Sequence, residues 1–522
     1  MTRRWSALGV LALGVLLIGV DATVLAVAVP FITEDLGATA TQVLWIGDIY
    51  SFVLAGLLVT MGGLGDRIGH KKLLLGGATG FAIMSVATAY APTAELLIGA
   101  RALLAVAGAT LAPSTLALIR ALFSDSRERS VAVGIWAAVF SAGTALGPVV
   151  GGLLLEHFWW GSVFLINVPL IVALLVGGVV LLPEMRNATP GPVDLPSVGL
   201  SLVGTLGVVY ALKEGVHNGI RVDIVVAGLL GAAAMTLFVR RQLQLPDPLI
   251  DIRLFCNRTF TGVVTANFLS ILGLSGMVYF LSQYFQLVNG YSPLNAGLAE
   301  LPAAVAAMVF GVLAGVAVRF WSRRAVLATG LALIGFAMAS LTTLSPATGY
   351  PRLGVALFVI GMGLGLAYTV ANDLIIDSVP PERTGAAAAL SETAYELGMA
   401  FGIAVLGSIV AAIYRGLAIP PGIRDDVAAY ARETLGAAHD SATKLSPENA
   451  HALLTSAQSA FTEGLAVAAG VGSILLLASS AAVWVLLKPH RGENCRKGQI
   501  MRVCTPAELK SGHFSGRQEA LK

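Results

Sequence analysis

The chain has 522 residues, of which 56% are hydrophobic and only 12% charged, and its mean hydropathy is +0.81. Soluble domains carry about a quarter charged residues, so this composition excludes a string of water-soluble domains and requires lipid as the solvent for most of the chain. The net charge of +3 arises from short basic clusters between apolar runs, which is a signal of topology and names no nucleic-acid partner.

At the N-terminus, Arg3 and Arg4 precede an apolar run from Trp5 to Pro30. The run is too long for the apolar stretch of a secretory signal and contains Asp21, so it reads as an uncleaved first helix. Apolar runs of about twenty residues, enough to cross a core of ~30 Å, then recur as far as Leu487. Segmenting at charge clusters and Pro/Gly breaks predicts fourteen helices at 6–30, 42–62, 73–91, 95–119, 131–155, 162–182, 195–213, 222–240, 259–286, 294–318, 325–344, 352–377, 385–412 and 461–487. Arg67, Lys71 and Lys72; Arg120, Arg127 and Arg129; Arg240, Arg241, Arg253 and Arg258; and Arg319, Arg323 and Arg324 all fall in every second loop. Those loops, and both termini with them, are expected on the cytoplasmic side. Residues 413–460 then form a long, partly helical extracytoplasmic segment. The tail after Leu487, with eight Lys/Arg against three Asp/Glu, is expected in the cytoplasm.

A faint repeat organises the chain. Gly63-Leu64-Gly65-Asp66-Arg67-Ile68-Gly69-His70-Lys71-Lys72 after helix 2 aligns with Gly315-Val316-Ala317-Val318-Arg319-Phe320-Trp321-Ser322-Arg323-Arg324 after helix 10. An offset of eight helices predicts two parallel six-helix bundles, residues 1–183 and 259–487, with helices 7 and 8 inserted between them in 184–258.

Four carboxylates lie deep within predicted helices: Asp21, Asp48, Glu392 and Glu396. Each costs at least ~2.5–3.5 kcal/mol on insertion scales, so each marks a pathway by default. At ~1.5 Å per residue, Glu396 is expected near mid-depth, Glu392 one turn closer to the cytoplasm, and Asp21 and Asp48 in the outer half. All seven histidines fall in loops, helix ends or the tail, which leaves proton carriage to carboxylates. Glu392 and Glu396 share a helix face at i, i+4, where like charges share protons; the same spacing also suits helix–helix hydrogen bonding. Arg101 needs a counter-ion, and Asp21 is the expected one, with a local tie to Thr23 as the alternative. Trp45, Asp48 and Phe52 share a face that offers a cation both charge and aromatic surface, or simply packs. Gln283, Tyr284, Tyr368, Asn372 and Met399 are further lining candidates, where polar groups serve equally as glue between helices. Gly143, Gly147 and Gly151, with Pro148, form a close-packing, bending stripe expected along the seam between bundles. Asp66, with Arg67, is expected to act as a gate latch or to set topology.

No nucleophile–base or metal-ligand spacing appears, which argues against an enzyme. Cys256, Cys495 and Cys504 have no metal-ligand spacing, and no Gly-rich loop runs into Lys-Ser/Thr. No cofactor or nucleotide is therefore expected.

The loop Gly62-Gly63-Leu64-Gly65-Asp66-Arg67-Ile68-Gly69-His70-Lys71-Lys72 resembles the signature loop of the major facilitator superfamily. Arg101 with Gly108 is similar to its second motif, and Gly143-Thr144-Ala145-Leu146-Gly147-Pro148-Val149-Val150-Gly151-Gly152 resembles the motif of its antiporter branch. Asp21-Ala22-Thr23-Val24-Leu25, Leu44-Trp45-Ile46-Gly47-Asp48-Ile49-Tyr50-Ser51 and Tyr395-Glu396-Leu397-Gly398 narrow the resemblance to the fourteen-helix drug/proton antiporters of the EmrB/QacA type, exporters of quaternary ammonium compounds, dyes and fluoroquinolones. The resemblance implies an all-α integral membrane protein that exports small lipophilic cations in exchange for protons, as a monomer in a bacterial cytoplasmic membrane. Export of an endogenous envelope metabolite or lipid is the alternative. Some members carry a carboxylate in mid-helix 10 where this chain has Ala307, with Glu300 two turns earlier.

Overall fold

The computed structural model describes residues 2–487 except 124, 185–193, 219–220, 246–247, 249–251 and 380–383. The basic tail lies outside the described residues. The first six spans are α1 (Thr2–Leu36), α2 (Ala40–Ile68), α3 (His70–Ala89), a broken span of α4 (Ala94–Gly108) and α5 (Leu111–Leu122), α6 (Ser126–His157), and α7 (Ser162–Leu165) running into α8 (Asn167–Leu181). A hairpin of α9 (Leu195–Asn218) and α10 (Val222–Gln244) follows. The second set comprises α11 (Arg258–Gln283), extended by a π-turn at Tyr284–Val288, then α12 (Pro293–Phe320), α13 (Arg323–Ser340), α14 (Tyr350–Asp377) and α15 (Thr384–Tyr414). Two short helices, α16 (Asp425–Ala431) and α17 (Leu435–Thr443), lead into α18 (Pro447–Leu486).

These are the fourteen expected spans. Among the described residues, thirteen are long and apolar enough to cross a membrane, and α9 is apolar over the shorter stretch Leu195–Ala211. The last helix departs from expectation by starting at Pro447 instead of 461. Proline suits a first helical position, where its missing N–H has no partner to lose, and Glu448 in the first turn favours the helix dipole. Segmentation by apolarity therefore finds the lipid-crossing part of α18 and omits its polar first turns.

In the first set, α1 packs on α6 and α8, α2 on α4, and α3 on α4 and α8. In the second, α12 packs on α14, α11 on α15 and α18, and α13 on α14 and α18. The seam between the sets is made by α2 on α15, α6 on α12 and α1 on α11, while α9 leans on both α2 and α15. With lipid as solvent, such contacts depend on close approach at small residues. A Cβ at Gly143 would stand 2.7 Å from Leu16 O, at Gly147 3.0 Å from Val20 O, and at Gly151 2.8 Å from Val24 Cγ2. The four-residue glycine stripe thus seats α6 on α1, inside its own bundle. The neighbouring face makes the seam, where Gly297 of α12 abuts the Pro148 carbonyl and a Cβ on Gly152 would stand 2.6 Å from Leu294 Cα.

The seam is closed at the end away from the Arg-rich loops. Tyr279 Oη donates to Val43 O at 3.1 Å and Gln286 Nε2 to Val27 O at 3.1 Å, beside the Gly297–Pro148 contact. At the same end α17 rests on α1, with a Cβ on Gly436 3.2 Å from Thr33 Cγ2. At the other end of the hairpin, Arg241 grips Asp194 through Nε and Nη2 at 2.8–3.2 Å. That guanidinium, with Ser197 in support, holds the Asp194 carboxyl below the usual carboxylate range.

Candidate functional site

Mid-way along the bundles, α1, α2, α4 and α8 bring buried charge together. Asp21 and Asp48 are wholly buried and Arg101 is 2% exposed. Asn167 Nδ2 donates to Asp21 Oδ1 at 3.0 Å and to Ser85 Oγ at 3.4 Å. The Arg101 guanidinium lies 5.5 Å from the Tyr50 ring centroid and 5.7 Å from that of Phe164, in Coulombic range of Asp21, Tyr50, Tyr279 and Asp48. Arg101 therefore serves as a shared cation. It makes no direct ion pair with Asp21 within 4 Å among the described residues, and Asn167 supplies Asp21's hydrogen bond. The alternative tie to Thr23 is not made, because Thr23 Oγ1 donates to Thr144 O at 3.0 Å.

Across the seam, Glu396 is buried on α15, and the Ser51 hydroxyl of α2 is a polar group that acts on its carboxyl from the other bundle. Ser51 Oγ also reaches Met399 Sδ at 3.6 Å. Glu392, one turn away and half-buried, accepts from Tyr368 Oη at 3.3 Å. A polar chain continues from this region, with Ser391 Oγ donating to Asn372 Oδ1 at 2.8 Å and Asn267 Nδ2 donating to Ser391 Oγ at 3.4 Å. The Tyr368 and Tyr395 rings pack at 5.6 Å. Tyr50, beside Arg101, lies in Coulombic range of both Asp21 and Glu396.

The structure divides the aromatic candidates. Phe52 is 1% exposed, makes an edge contact with Phe401 at 5.4 Å, and packs with Val209, Ala400 and Ala404, with Trp45 at the border. These two rings form a wall where α2, α9 and α15 meet. Tyr284 stands apart from the carboxylates, its hydroxyl donating to Ser345 O at 2.7 Å. Arg67 is exposed, and the side chain of Asp66 lies outside the described residues.

Sequence reasoning missed Tyr50, Ser51, Asn167 and Tyr279 as members of the cluster. Asn167 carried a legible signal, because a buried amide within an apolar span needs a partner. Among the described residues no group of three or more His, Cys, Asp or Glu is placed to hold a metal ion.

A family model described as the Major Facilitator Superfamily matches residues 11–403. The chain belongs to the Major Facilitator Superfamily. It is 47% identical over 488 residues to the multidrug efflux pump LfrA of Mycolicibacterium smegmatis, covering 93% of this chain and 97% of that protein. It is 36% identical to the methyl viologen resistance protein SmvA of Salmonella typhimurium, covering 94% and 100%. A bacterial homolog of the human lysosomal transporter Spinster, solved in an inward-facing and unoccupied conformation, shares the superfamily fold at a TM-score of 0.66, with 16% identity over 93% of this chain and 97% of that one. The motif resemblance to the fourteen-helix drug/proton antiporters thus stands, and this superfamily member is a multi-pass membrane transporter and not an enzyme.

Proposed function

We propose that this transporter exports lipophilic cations, quaternary ammonium compounds and dyes such as ethidium among them, in exchange for protons across a bacterial cytoplasmic membrane. It works as a monomer with both termini in the cytoplasm. The observation that carries the reading is Glu396, a carboxylate buried on α15 at the seam, where Ser51 of the opposite bundle reaches Met399 one turn along the same helix. A carboxylate at that depth needs either a proton or a cation to offset its charge. One site that accepts either is an exchanger, because arrival of the cationic cargo displaces the proton.

Glu396 is the principal proton carrier and Glu392 its coupled neighbour. Asp21, steadied by Arg101 and Asn167, sets the charge of the first bundle. Asp48, Trp45, Phe52, Tyr368 and Met399 meet the cargo, while Tyr284 supports the wall from a distance. Gly143, Gly147, Pro148 and Gly151 let α6 follow α1 as the bundles rock. The names of LfrA and SmvA, a multidrug efflux pump and a methyl viologen resistance protein, support this reading. Closure of the seam at the end away from the Arg-rich loops corresponds to a transporter sealed on its outer side.

Cells that express the protein are expected to accumulate less ethidium, and a proton uncoupler is expected to erase the difference. Equal accumulation in expressing and control cells, with the protein in the membrane, would remove the drug-export assignment. Asp66 and Arg67 act as the loop latch. Asp66→Ala is expected to leave insertion intact while slowing ethidium efflux, and unchanged turnover at equal expression would take Asp66 out of the mechanism.

A further inference from the structure

One buried carboxylate has no part in the cluster around Glu396. Glu300, on α12, is more than nine-tenths buried, and its Oε1 has no hydrogen-bond partner. The Ser282 hydroxyl of α11 is the polar side chain that acts on its carboxyl group. Ser282 Oγ also lies 3.4 Å from Gln286 Nε2, which donates to Val27 O of α1 at 3.1 Å. Gln283, next to Ser282, is buried with an unpartnered Nε2. The helix changes to a π-turn at Tyr284–Val288, an irregularity that recurs at functional sites and here carries Gln286 across the seam. Val27 lies six residues beyond Asp21, about 9 Å further along α1. This polar group therefore sits toward the closed end, apart from the Asp21–Arg101 cluster.

The surroundings select a proton as occupant. Gly297, less than one turn before Glu300, abuts the Pro148 carbonyl, so α6 closes over that turn of α12. A metal ion needs several oxygen ligands, and Glu300 has one hydroxyl and no second carboxylate beside it. No charged side chain acts on Glu300 among the described residues. The titratable groups on the helices packed against α12 are otherwise engaged: Tyr350 Oη of α14 donates to Ala299 O, Tyr284 Oη to Ser345 O, and Arg352 Nη2 to Ser340 O. Asp35 of α1 accepts from Trp160, Glu156 and His157 are exposed at the end of α6, and Arg323 of α13 pairs with Asp373 of α14 at the opposite end. A cleft of about 360 Å³ lined by Tyr291, Asn295, Leu298, Ala299 and Tyr350 reaches the residue beside Glu300 from the closed end.

We infer that Glu300 is a further proton-binding carboxylate, separate from the Glu392–Glu396 pair and loaded from the outer side of the membrane. Its sidedness rests on the function proposed above. When the outer seam opens, the Gln286–Val27 and Gly297–Pro148 contacts part and Glu300 takes a proton from the cleft; when it closes, the neutral acid is sealed with Ser282.

The test uses purified full-length protein without cargo, so its outcome is independent of which compounds are exported. Protons released on an alkaline pH jump are counted with an indicator dye, and infrared difference spectra follow the carboxylic acid C=O bands. Glu300→Gln is expected to release one proton fewer per monomer and to lose one acid band, while Glu396→Gln loses a different band. Glu300→Asp keeps the acid and is expected to restore the proton count. An unchanged proton count and unchanged bands in folded Glu300→Gln would overturn the inference. Loss of ethidium export by the wild type would instead strike the proposed function.

Discussion

Replacing Glu396 by Gln is expected to reduce uncoupler-sensitive ethidium efflux to the passive leak while leaving the protein folded and in the membrane. Gln preserves the shape of Glu but fixes the side chain as neutral, so it can hold no proton and offer no charge to a cation. Exchange of one proton for one monovalent cation moves no net charge and draws only on the pH gradient. Two protons per cation would add the membrane potential, worth ~2.3 kcal/mol per elementary charge per 100 mV. Glu392, one turn away and hydrogen-bonded to Tyr368, makes the second proton available, and Glu392→Gln should weaken divalent cargo more than monovalent cargo. Efflux assayed in proteoliposomes with an imposed pH gradient, with and without an imposed potential, separates these cases. Full uncoupler-sensitive efflux by Glu396→Gln would move the proton site elsewhere.

Arg101→Met is expected to destabilise the first bundle by about 3 kcal/mol, because removing one member of a buried charge set leaves the others uncompensated. Asp21 would keep only Asn167, and the Tyr50 and Phe164 rings would lose the cation they face. Asp21→Asn combined with Arg101→Met removes both charges, and the double variant should recover most of the loss. Thermal unfolding in detergent, followed by intrinsic fluorescence across the four proteins of the cycle, reads the coupling. Additive losses would show that Asp21 and Arg101 act independently and that Asn167 alone determines the state of Asp21.

What could be read before the structure was whatever lipid makes expensive. Asp21, Arg101, Asp48, Glu392 and Glu396 stood out because an ionisable group in an apolar run has few inexpensive explanations, and the fourteen spans followed from the same physics. Neutral partners gave a weaker signal. Tyr50 and Ser51 follow Asp48 at positions off the Trp45–Asp48–Phe52 face, so a search along one face passed over them, although Tyr50 faces Arg101 and Ser51 reaches Met399 of the second bundle. Spacing placed Gly143, Gly147 and Gly151 on one stripe but could not say which neighbour would use it. That depends on tertiary packing, and α1 took the stripe while Pro148 and Gly152 took the seam. Glu300 was visible as a residue near an expected acidic position, but its burial beside Ser282 is a property of the assembled helices.

The α9–α10 hairpin bears on how cargo arrives from the bilayer. Leu202 of α9 fills the space over Gly56 of α2, where a Cβ would stand 2.6 Å from its Cδ2, and Val209 packs with Phe52, Ala400 and Ala404. This wedge shutters the slit between α2 and α15 against the acyl chains. Among the described residues no helix packs over the border between α6 and α12 in the same way, and Leu146 of α6 and Val305, Met308, Val309 and Val312 of α12 are exposed. An amphiphile dissolved in a leaflet therefore meets a less covered surface along the α6–α12 border than along the α2–α15 border, and bulky substitutions there should discriminate between compounds that enter from lipid and those that enter from water.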